Sequence, residues 1–148
     1  MTQKADFNAE EWAKVVEGPL LAGMRVITSH RGGTIRETVA MSKVYAEARQ
    51  QQGSSELLDA LVATPPAIDP ATAQAGRDKA IDGLRESLRV LQQKATPEEV
   101  DAFKGFVRDV AQATARAHKE GGFLGIGGTE ISPEEQTALD EIEAALGQ

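Results

Sequence analysis

The chain contains no cysteine. That excludes disulfides, thiolate metal sites and cysteine nucleophiles. Aromatic residues are scarce, with one Trp, one Tyr and four Phe among 148 residues. Histidine is limited to His30 and His118, too few for a three-histidine zinc site. No stretch approaches the roughly 20 consecutive apolar residues that cross a bilayer. The opening MTQKADFNAEEW lacks the apolar core of a signal peptide. These absences lead to the expectation of a soluble, cytoplasmic protein. Alternating runs of β-branched and aromatic residues are missing as well, so no β-sheet is expected.

Basic residues are absent from one region in particular. Residues 1–64 carry one acid more than bases, and residues 65–120 are balanced. Residues 121–148 hold Glu130, Glu134, Glu135, Asp140, Glu141 and Glu143 with no Lys or Arg, so nearly all of the formal net charge of -7 resides there. An acidic chain without a basic stripe is a poor match for nucleic acid, whose binding is dominated by phosphate neutralisation. Anionic membrane surfaces are disfavoured on the same ground.

What the sequence does have is a series of helix starts. Asn8 and Glu11 form a capping box, with Phe7 and Trp12 at its hydrophobic-staple positions. Gly18-Pro19 is expected to end this helix and open a second, which Arg31-Gly32-Gly33 breaks. Thr34 and Glu37 start a third helix, in which Ile35, Val39, Ser42 and Ala46 define the buried stripe and Val44, Tyr45 and Ala48 widen it. Ser54 or Ser55 caps a short fourth helix that stops before Pro65-Pro66. Asp69-Pro70 opens a fifth, running to about Lys94 with Ile81, Leu84, Leu88 and Leu91 inward. Thr96-Pro97-Glu98-Glu99 and Ser132-Pro133-Glu134-Glu135 combine cap, proline and capping-box acid. They lead into stripes of Val100, Phe103, Val107, Val110 and Ala111, and of Leu139, Ile142 and Leu146. The expected fold is all-α, a compact single-domain bundle of six or seven helices over residues 1–148, with residues 1–7 a flexible tail. A chain of this length buries roughly two-thirds of its unfolded surface, enough for a core of its own.

One segment does not read as a helix. Between Glu120 and Glu130 stand five glycines and three large apolar residues, Phe123, Leu124 and Ile126. Glycine lets such backbone take positive φ and pass close to its neighbours. The trio then either tucks into the chain's own core or forms an apolar surface for a partner. Phosphate cradling is not supported, because no lysine follows the glycines and no strand precedes them. Glu120, Glu130, Glu134 and Glu135 bracket the segment, and their oxygens could bind a divalent cation. Glu134 and Glu135 are better accounted for by a helix first turn, where the macrodipole favours negative charge. His30 and His118 each lie near a helix end, and no Gly-x-Ser-x-Gly elbow accompanies them.

The stretch from Glu120 to Gly147, EGGFLGIGGTEISPEEQTALDEIEAALG, resembles the tail of TerB-like (tellurite-resistance type) helical domains. The resemblance rests on a glycine-containing turn, then Ile131, Ser132, Glu134, Glu135 and the Leu139, Ile142, Leu146 stripe. It departs from that pattern where an Asp-Gly turn is replaced by the longer apolar segment. The first half of the chain offers no matching acidic turn. The resemblance implies an all-helical bundle and cation binding at an acidic cluster.

The leading functional expectation is a non-catalytic interaction module, binding a protein partner or a second copy of itself through Phe123, Leu124 and Ile126. No cofactor is expected under that reading. A divalent-cation-binding acidic helical domain using Glu120, Glu130, Glu134 and Glu135 is the first alternative. An enzyme pairing His30 or His118 with a carboxylate for acid-base chemistry is the second.

Overall fold

The computed structural model describes residues 3–27, 34–51, 55–63, 79–120 and 133–147. These residues form an all-α bundle. A 3-10 turn over Lys4–Asp6 precedes α1 (Ala9–Ile27), α2 (Thr34–Gln50), α3 (Glu56–Val62), α4 (Ala80–Lys94), α5 (Pro97–Glu120) and α6 (Pro133–Leu146). No strand occurs among the described residues. Helix α1 is central. It packs most extensively against α4 and α5 and also meets α2 and α6. Helix α2 lies along α5 with α3 beside it, and α6 packs on α4 and α5. None of these helices is long and apolar enough to cross a membrane.

The helix starts follow from local chemistry. Asn8 Oδ1 accepts from the Glu11 backbone N–H at 2.8 Å, and Glu11 Oε1 accepts from the Asn8 N–H at 2.9 Å. The Phe7 and Trp12 rings meet across this box with centroids 5.7 Å apart, completing the staple. Thr96 and Glu99 repeat the reciprocal bonds at 3.2 and 3.0 Å. Ser55 caps α3 by accepting from the Leu58 N–H at 3.3 Å. Each such cap satisfies N–H groups that have no partner within the helix and contributes about 1 kcal/mol. At the far end of α3, the Arg49 guanidinium donates to the Val62 carbonyl at 2.9 Å. The proposed starts at Thr34/Glu37, Asp69-Pro70 and Ser132 have side chains outside the described residues.

Gly18-Pro19 does not end a helix, contrary to the sequence expectation. Helix α1 runs unbroken through both residues, so the expected first and second helices are one. The reason lies in α4. Proline has no N–H, so the Val15 carbonyl four residues earlier loses its helical partner, and an internal proline ordinarily costs about 3 kcal/mol or more. Here the Ser87 hydroxyl, on α4 and fully buried, donates to that carbonyl at 3.3 Å. Gly18 removes a second obstacle, because a Cβ before proline clashes with the proline ring in helical backbone. The missing Cβ also lets the helices approach. A methyl group built on Gly18 would stand 2.5 Å from Ser87 Oγ and 2.8 Å from Phe103 Cζ. Gly83 of α4 makes the reciprocal space for Leu21.

The core follows most of the expected stripes. Leu84, Leu88 and Leu91 of α4, Val100, Phe103, Val107, Val110 and Ala111 of α5, and Ile142 and Leu146 of α6 are all buried. Burying each large side chain is worth about 1.5–3 kcal/mol. The α2 stripe is different. Val39 is 62% exposed, and among the described side chains Met41 and the expected Tyr45 are buried, with Ser42, Val44, Ala46 and Ala48 half-buried; the Ile35 side chain lies outside them. Tyr45 meets Phe106 of α5 edge-on, centroids 5.0 Å apart. Burial pushes the Tyr45 phenol above the ordinary tyrosine pKa.

Phe7, within the segment read from sequence as a tail, is only 7% exposed and belongs to the core cluster. Lys94 helps hold it there. Its ammonium donates to the Asp6 carbonyl at 2.7 Å and to Glu11 at 2.8 Å, and sits 5.6 Å from the Phe7 ring centroid. The Lys94 ammonium, followed by the Asn8 N–H, holds the Glu11 carboxyl below its usual pKa. Lys14–Glu86 at 3.1 Å links α1 to α4, and Arg25–Glu141 at 2.9 Å links α1 to α6. Arg89 and then Lys14 hold the Glu86 carboxyl down to about 2.

Gly105 contrasts with Gly18. It lies within α5, and among the described residues no atom outside its own stretch of helix stands within 4 Å of where a Cβ would be. Gly105→Ala is therefore expected to stabilise the protein by about 0.5–1 kcal/mol, through lower unfolded-chain entropy and better helix propensity. Urea denaturation with an unchanged m-value and a raised midpoint would report this. A lowered midpoint would show that the Gly105 face packs against something.

Candidate functional site

The α5–α6 pair forms the base of the region that the sequence singles out. Arg108 of α5 donates to Glu143 of α6 at 2.7 Å, and the carboxylate raises the already high pKa of the guanidinium. From that ion pair an open groove of about 370 Å³ runs between the two helices. Arg108, Gln112 and Arg116 form its α5 bank. Gln136, Asp140 and Glu143 form its α6 bank, and Ala111, Leu139 and Ile142 line its floor. Gln136 Nε2 donates to Asp140 Oδ1 at 2.9 Å, which fixes part of the α6 bank.

Local helix geometry produces these banks. Positions 108, 112 and 116 are four apart, so they share one side of α5 next to the buried Val107, Val110 and Ala111. Positions 136, 140 and 143 do the same on α6. The far end of the groove, at Arg116 and Gln136, is about one turn from the end of α5 at Glu120 and the start of α6 at Pro133. The groove therefore stops about one turn short of where the chain leaves α5 and enters α6. A second open groove of about 300 Å³ lies on the other side of α5, between it and α2, and Arg116 and Gln112 border both.

The sequence-derived candidates distribute as follows. Phe123, Leu124, Ile126 and Glu130 lie outside the described residues. Glu120 closes α5, with its side chain outside them as well. Glu134 and Glu135 occupy the first turn of α6, as the macrodipole favours. Their environments differ, since Glu134 is exposed whereas Glu135 is only 1% exposed. Among the described residues no group of three His, Cys, Asp or Glu side chains is placed to hold a metal. His30 lies outside the described residues, and His118 is within α5 with its side chain outside them.

Sequence reasoning missed Arg108, Gln112, Arg116, Gln136 and Asp140. Their signal was present as polar residues at four-residue spacing flanking an apolar stripe. That pattern marks any helix edge, and only the packing of α5 on α6 turns two such edges into facing banks. Chemically the groove offers guanidinium and amide donors on one side and carboxylate acceptors on the other, a surface that complements polar groups. Comparison with family models, curated proteins and solved structures finds no match for this chain.

Proposed function

We propose that this chain is a non-catalytic interaction module that takes a protein partner, or a second copy of itself, through Phe123, Leu124 and Ile126. The observation that supports this reading is the course of the α5–α6 groove, whose polar banks run to within about one turn of the two helix termini that flank residues 121–132. An apolar centre with a polar, hydrogen-bonding rim is the usual anatomy of a protein interface. Large apolar side chains, aromatic ones above all, carry a disproportionate share of binding energy there. The trio supplies the apolar centre, and Arg108, Arg116, Gln136 and Asp140 supply the rim. The acidic character of residues 121–148 favours a partner surface with basic groups around an apolar pocket.

The test replaces Phe123→Ser and Leu124→Ser together. The variant is expected to keep the helical circular dichroism and melting temperature of the parent. It should lose the concentration-dependent assembly, or the partner capture, that the parent shows in sedimentation and pull-down measurements. Unchanged assembly and capture in a folded variant would overturn the proposal.

A further inference from the structure

We draw no further inference here: the strongest candidate, the open groove between α2 and α5 bordered by Val44, Glu47, Phe106, Asp109 and Arg116, carries charges of both signs, and nothing in the structure shows what covers it.

Discussion

Gly18→Ala is expected to destabilise the protein by about 1–3 kcal/mol, the usual range for inserting a methyl group into a filled core. The added Cβ would stand 2.5 Å from Ser87 Oγ and 2.8 Å from Phe103 Cζ. Neither neighbour has an easy retreat. Ser87 is tied to the Val15 carbonyl, and Phe103 is fully buried. Relief requires α1 to move off α4 and α5, the two helices it packs against most. The intrinsic preference of helices for alanine over glycine works the other way, by about 1 kcal/mol at most. For a domain of this size each kcal/mol shifts the melting temperature by about 2–4 °C. A melting scan should therefore show a clear drop for Gly18→Ala and a rise for Gly105→Ala, although both add the same methyl group to a helix. A rise for both would mean that the close approach of α1 to α4 is absent.

Ser87→Ala is expected to cost about 1–3 kcal/mol, because it leaves the buried Val15 carbonyl without a donor. The loss should depend on Pro19. In a Pro19→Ala background the alanine N–H at position 19 can donate to Val15 in the ordinary helical manner. Ser87→Ala should then cost much less. A double-mutant cycle built on chemical denaturation measures this difference directly, since it isolates the coupling between two residues in contact. Equal costs in both backgrounds would show that the Ser87 hydroxyl does not stand in for the proline's missing N–H.

These two residues also show where the sequence was legible and where it was not. The helix caps were readable because they are local. Asn8 with Glu11, Thr96 with Glu99, and Ser55 each act within three residues, and each makes its expected bonds. The inward stripes of α4, α5 and α6 were readable because helical spacing alone places Leu84, Leu88 and Leu91 on one side. Gly18-Pro19 was misread because its outcome is decided by Ser87, far along the chain. Locally the pair is a break, and only tertiary contact supplies the missing donor and rewards the absent Cβ.

The α2 stripe was legible in part: Tyr45, Val44 and Ala48 pack inward as expected, whereas Val39 does not. Helical spacing accepts a stripe through Ile35, Val39, Ser42 and Ala46 as readily as one through Met41, Tyr45 and Ala48, and α2 carries too few large apolar residues to separate them. In the fold it is the Met41 and Tyr45 side that packs inward, with Tyr45 edge-on to Phe106 of α5. The Phe7 ring is held by Lys94 from the opposite end of α4, again a long-range partner. The candidate site divides in the same way. The apolar trio was visible in composition, whereas the banks of Arg108, Gln112 and Arg116 facing Gln136, Asp140 and Glu143 exist only once α5 and α6 are paired.

The proposed function requires that Phe123 be available to something other than the chain's own interior. Because the chain has no cysteine, a Phe123→Cys variant carries a single thiol, and its reaction with a thiol reagent can be followed without background. At protein concentrations low enough to keep the chain dissociated, the account predicts a native-state labelling rate close to that of the urea-unfolded chain. Protection as deep as that of a Leu84→Cys control in the core would contradict it, and would make the trio part of the packing that holds the bundle together.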